Sequence, residues 1–125
     1  MVPRGKYGKD EIAGYDAAEY KAKLLKALAH PDRIRIFEAL AMGEKTVGEI
    51  VDMLGAKPAM TSRHLAVLRG AGLVSARKDG LNVHYANKMP CMLNMLACVD
   101  QAVCAIADEH VKAAACLSKK KEVTL

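Results

Sequence analysis

At 125 residues the chain has room for one domain, and no apolar run approaches the roughly 20 residues of a membrane span. Nineteen Lys and Arg against fourteen Asp and Glu give a formal charge of +5, a sign that suits a polyanionic partner without requiring one. One Phe and no Trp exclude the aromatic platform that stacks single-stranded bases, so a nucleic-acid partner would be duplex DNA.

The first fourteen residues are polar, Gly-rich and mixed in charge, which predicts a flexible arm over 1–14. They contain no apolar core of a secretory signal, so a cytoplasmic location is expected. Tyr20, Leu24, Leu25 and Leu28 stripe a first helix from about Asp16 to Ala29. His30-Pro31-Asp32 breaks it, and Ile34, Ile36, Phe37 and Leu40 stripe a second, short helix ending near Met42-Gly43.

Thr46 and Glu49 stand three apart, the spacing at which an N-cap hydroxyl and an N3 carboxylate satisfy each other's backbone donors. A third helix should begin there, carry Val47, Ile50, Val51 and Leu54 on one face, and end at Gly55, the residue best able to turn left-handed. Pro58 opens a fourth helix, where its missing N–H costs nothing. Thr61, Leu65 and Leu68 mark its inward stripe, ending at Gly70 or Gly72. The opposite face carries Ala59, Met60, Ser62, Arg63 and Ala66. Small, hydroxylic and guanidinium side chains on an exposed helix suit a major groove, where they reach base edges and phosphates.

Leu73 to Lys78 and Leu81 to Asn87 then alternate apolar and polar residues around Asp79-Gly80, which predicts a two-stranded hairpin. Leu81, Val83 and Tyr85 form its expected inward face. Arg77 and Lys78 lie at or near its tip, where a cation meets a neighbouring phosphate. After Pro90 a long helix runs from Cys91 to about Leu117, with Leu93, Leu96, Val99, Val103, Ile106 and Val111 interleaved with alanines. Apolar residues on more than one face predict burial on two sides, against its own domain and against a second copy, together with the first helix. Residues 118–125 read as a flexible tail.

The pattern is α+β, mainly α: a winged helix-turn-helix of four helices, a β-hairpin wing and a long C-terminal dimerisation helix, occupying 15–117. An enzyme is not expected. No Gly-rich phosphate loop follows a strand, and none of the four histidines stands in a motif relation to a cysteine.

Leu24-Leu25-Lys26-Ala27-Leu28-Ala29-His30-Pro31-Asp32-Arg33-Ile34-Arg35-Ile36 and Ser62-Arg63-His64-Leu65-Ala66-Val67-Leu68-Arg69-Gly70-Ala71-Gly72-Leu73-Val74 resemble the arsenical-resistance repressor (ArsR) family of winged-helix metalloregulators. The resemblance runs from Tyr20 to Cys104 in one register. It implies a homodimeric repressor that holds double-stranded operator DNA when ligand-free and releases it when a metal or metalloid binds. It places DNA contacts at Ala59, Met60, Ser62, Arg63 and His64, with the wing at Arg77 to Asn82. His64 also sits beside the buried stripe, where packing or a backbone bond would occupy it instead. Where the family often has Ser-Gln, this chain has Lys57-Pro58, so a helix cap and a polar base contact are missing.

Two of the family's metal sites are absent as well. The third helix holds no Cys-x-Cys pair, and the zinc positions of the last helix are occupied by Met89, Cys91, Ala102 and Ala105. What remains is Cys91, Cys98, Cys104 and Cys116, expected to be thiols in a reducing compartment. Soft thiolates favour As(III), with Sb(III), Cd(II) or Pb(II) behind it, as inducer, and no permanent cofactor. Cys98-x5-Cys104 is similar to the last two ligands of a Cys-Cys-x5-Cys run in arsenic-sensing relatives, and the third ligand is then Cys91 or Cys116. Cys91 and Cys98 share a face but stand about 10 Å apart along an ideal helix, and Cys104 lies about 120° away. A single ion therefore needs two copies or a distorted helix. A thiol-based redox or sulfide-responsive repressor on the same fold is the alternative.

Overall fold

The computed structural model describes residues 16–111, with side chains to Glu109. The expected arm over 1–14, the tail and the end of the last helix near Leu117 lie outside the described residues. The elements run α1 (Ala17–Leu28), α2 (Pro31–Leu40), β1 (Lys45–Thr46), α3 (Val47–Leu54), α4 (Pro58–Gly70), β2 (Val74–Asp79), β3 (Asn82–Asn87) and α5 (Met92–Val111).

Local chemistry accounts for most of the boundaries. Asp16 caps α1 by accepting from Ala18 N. His30 caps α2 through its ring, Nδ1 accepting from Asp32 N at 3.1 Å, with Pro31 at the first helical position. Thr46 and Glu49 form the expected reciprocal box: Thr46 N donates to Glu49 Oε1 at 2.8 Å, and Glu49 N donates to Thr46 Oγ1 at 3.2 Å. Gly55, at φ +66°, ends α3. Lys57 offers α4 no side-chain cap, which agrees with the departure read at Lys57-Pro58.

The chain divides into two units between Met89 and Pro90. In the first, Ile36, Phe37 and Leu40 of α2 are buried, as are Ile50 of α3, Leu65 and Leu68 of α4, and Leu73 and Val74 at the start of the wing. Ala27 and Leu28 are the buried residues of α1. The expected α1 stripe is thus only partly inward: Leu24 is half-buried, and Tyr20 and Leu25 are exposed. Asn87 ties the end of the wing to α2, its Nδ2 donating to Phe37 O at 3.1 Å while its Oδ1 accepts from Met89 N.

The sheet has three strands in the order β1-β3-β2 rather than the two expected. Lys45 pairs with Tyr85 and Thr46 with His84, both antiparallel. A two-residue strand carries no alternation of its own, so only the neighbouring β3 edge makes it one. The turn is Gly80-Leu81, closed by the Asp79–Asn82 pair, with Gly80 at φ +65°. Leu81, expected to face inward, is 100% exposed: it lies beyond the last paired rung, where strand alternation no longer sets direction.

The second unit contains α5. Leu96 is buried. Val99, Val103 and Ile106, spaced by four and three on one helical face, remain 45%, 46% and 56% exposed in the single chain.

Candidate nucleic-acid interface

α3, the Gly55 turn and α4 form the helix-turn-helix. Thr61, Leu65 and Leu68 of α4 are fully buried, and they set the rotation of the helix about its axis. That rotation turns Ala59, Met60, Ser62 and Arg63 outward, all exposed, as the spacing predicts. Two small side chains, a flexible thioether and a guanidinium within the first two turns leave room for a base edge and supply a forked donor.

His64 does not join them. It is 3% exposed, its ring centroid lies 4.4 Å from that of His30, and its Nδ1 accepts from Arg33 Nε at 3.3 Å. The DNA contact expected of His64 is therefore corrected: the residue links α4 to the α1–α2 corner from inside. Burial, then the charges of His30 and Arg33, push its pKa below the ordinary histidine value, with Asp32 opposing. The neutral ring that results accepts at Nδ1 and carries its proton on Nε2, an assignment made from the hydrogen-bond network. Arg33 completes the joint by donating from its terminal nitrogen to Ala27 O at 3.4 Å. No local pattern announces this cluster, because His30 and Arg33 stand some thirty residues before His64.

The wing presents Arg77, Lys78, Asp79 and Leu81, all exposed. Arg77 is half satisfied already: its guanidinium donates to Glu44 Oε1 at 2.7 Å and lies 3.8 Å from Asp79. That hydrogen bond holds the Glu44 carboxyl below the usual range and raises Arg77. Sequence reasoning missed Glu44 as the partner of Arg77 and turned Leu81 inward rather than to the tip. The pairing to Glu44 spans 33 positions, and only the two-residue turn, readable from Gly80, could have placed Leu81 at the tip.

The cysteines lie in the other unit. Cys91 and Cys98 are free and exposed. Cys104 is half-buried and disulfide-bonded, which differs from the expected free thiol, and Cys116 lies outside the described residues. Within one chain, and among the described residues, Cys91, Cys98 and Cys104 do not converge into a three-ligand cluster; His30, Asp32 and His64 do, within 4.8 Å. The ring nitrogens at Nδ1 in that cluster already accept from Asp32 N and Arg33 Nε. With both Nδ1 atoms engaged and the Arg33 guanidinium beside the cluster, these side chains serve here as a structural joint.

The exposed reading face and the basic hairpin define a winged helix-turn-helix DNA-binding protein. Residues 30–76 match the model of the bacterial regulatory protein arsR family. The HTH-type transcriptional regulator Rv0081 of Mycobacterium tuberculosis is 37% identical over 92 residues, covering 73% of this chain and 81% of its own. Its crystal structure superposes with a TM-score of 0.67 at 34% identity, covering 78% of this chain and 99% of the other. The solution structure of the homodimeric winged helix-turn-helix domain Mb0332 of Mycobacterium bovis gives 0.64 at 28% identity, covering 80% and 97%. A probable mercury resistance operon repressor of Streptomyces lividans is 37% identical over 65 residues, 52% of each chain. The chain belongs to the arsR family and is a transcriptional regulator, not an enzyme. Among the described residues no helix is long and apolar enough to cross a membrane.

Proposed function

We propose that the chain is a cytoplasmic homodimeric repressor that occupies operator DNA through α4 and the wing and leaves it when As(III) binds thiolates of the C-terminal helix. The observation that carries the DNA-binding half is the outward set Ala59, Met60, Ser62 and Arg63, opposite the fully buried Thr61, Leu65 and Leu68. Arg77 and Lys78 add phosphate contacts. The exposed Val99, Val103 and Ile106 stripe supports pairing of two copies through α5, as does the homodimeric relative.

For the inducer, support comes from thiol chemistry and from the relative whose name refers to mercury resistance. Cys98 and Cys104 are the shared ligands, with Cys91 or Cys116 third. Cys98 is exposed beside the Val99 stripe, where a second copy can add to the coordination. Sb(III), Cd(II) and Pb(II) share the chemistry. Cys104 must be a thiolate to serve as a ligand, and a repressor controlled by thiol oxidation without a metal is the second reading.

The test is release from a promoter fragment. Reduced protein bound to its own promoter is titrated separately with arsenite, Cd(II), Zn(II) and an oxidant. Arsenite should release the wild type, while Cys98→Ser and Cys104→Ser bind DNA and stay bound. Of Cys91→Ser and Cys116→Ser, only the third-ligand variant should share that phenotype. Full arsenite release by the Cys98→Ser, Cys104→Ser double variant would overturn the metalloid site, and release by oxidant alone would establish the second reading.

A further inference from the structure

α1, α2 and α4 line an open cleft of about 440 Å³ that the DNA-binding reading leaves unused. Its rim carries Lys23, Lys26 and Arg33, and among the described residues no Asp or Glu lines it. The one acid adjacent in sequence to Arg33, Asp32, is turned to Arg35 at 2.8 Å. Arg33 itself is held by carbonyl and imidazole acceptors, Ala27 O and His64 Nδ1, which orient the guanidinium without cancelling its charge. Three cations around one opening therefore create a positive field that no acid among the described lining residues neutralises.

The floor is of a different character. Ala27, Ala66, Val67, Gly70 and Ala71 line it, small and apolar residues that leave the cleft open between the helices. An apolar concavity in the 300–1,000 Å³ range with a few converging polar groups is the usual form of a small-molecule site. The location adjoins the reading face at its C-terminal end: Ala66 of the outward face lines it, and Gly70 lies seven residues beyond Arg63 on α4, about 10 Å along the axis.

We propose that this cleft binds a small organic monoanion, a carboxylate with a hydrocarbon body, whose head group meets Lys23, Lys26 and Arg33 while its body lies on the alanine floor. A bare phosphate would satisfy the rim and leave the floor wet. A neutral hydrocarbon would do the reverse. Because Arg33 Nε also donates to buried His64, an occupant that draws the guanidinium outward acts directly on the helix that reads DNA.

The experiment is calorimetric titration of the DNA-free full-length dimer with octanoate, with 1-octanol and with inorganic phosphate. It needs neither metal nor operator, so its outcome is independent of the proposed cysteine site. Octanoate should bind at one per chain, at least about tenfold tighter than octanol or phosphate, a factor worth about 1.4 kcal/mol. Gly70→Leu fills the cleft from a position where an added Cβ meets nothing within 4 Å, and should abolish binding while operator binding persists. Lys23→Ser with Lys26→Ser should weaken octanoate at least about tenfold and leave octanol unchanged, and it decides the matter if the leucine variant does not fold. Absence of octanoate binding, equal binding of octanol or phosphate, or undiminished binding by the cleft variants would overturn the assignment.

Discussion

Arg63 stands on the outward face of α4 with no ion pair among the described residues, so its guanidinium is available to fork onto a guanine or a phosphate. Arg63→Ala should weaken operator binding by about 1–3 kcal/mol at physiological salt, and unchanged affinity in a gel-shift titration would remove it from the interface. Two residues before it, Thr61 is fully buried and its Oγ1 has no hydrogen-bond partner among the described residues. Its hydroxyl loses water without compensation, so Thr61→Val should raise unfolding stability by about 1 kcal/mol, read from denaturant midpoints with DNA binding retained. His64 makes stability pH-dependent with a definite sign. Its folded pKa lies below the ordinary 6.5, so the unfolded chain binds the proton first as pH drops. The stability tied to its neutral form is fully present above pH 6.5 and is lost as pH falls from there through the folded value. His64→Gln should flatten that slope in unfolding curves measured across this range; an unchanged slope would assign it to other groups.

At the scale of elements, the wing is a charge device with an internal brake. Arg77 faces Glu44 across the sheet and Asp79 along its own strand, and both carboxylates compete with phosphate for it. Glu44→Gln should steepen the salt dependence of operator binding, and Arg77→Ala should reduce the slope by about one unit, with little change in sequence preference. Equal slopes for the wild type and both variants would mean that Arg77 never reaches DNA. The hairpin itself was legible from its alternation and from Gly80. Its third strand was not, since Lys45 and Thr46 become a strand only through the edge of β3.

For the whole molecule, the decisive surface is the Val99, Val103 and Ile106 stripe of α5. Three large apolar side chains left in water on one face have a favourable alternative in a second copy, with roughly 25 cal/mol recovered per Å² of apolar area covered. A dimer also places two reading helices on two half-sites. Val103→Asp with Ile106→Asp should yield a monomer in sedimentation, with operator affinity lost and the fold of residues 16–89 intact by circular dichroism. A dimer that persists would place the interface elsewhere.

Local rules sufficed wherever one residue satisfies its near neighbours. The Thr46–Glu49 box, the Gly55 stop, Pro58 at the start of α4 and the Thr61, Leu65, Leu68 stripe are all interactions within four residues. From them the helix-turn-helix and its outward reading face follow without coordinates. Tertiary structure decided what depends on partners far along the chain. It buried His64 against His30 and Arg33, turned Arg77 to Glu44, and let Lys45-Thr46 join β3. It also brought three helices together around a basic-rimmed open cleft. Spacing along a chain reports which face of an element a residue occupies; which other element closes over that face is settled only when the chain folds back on itself.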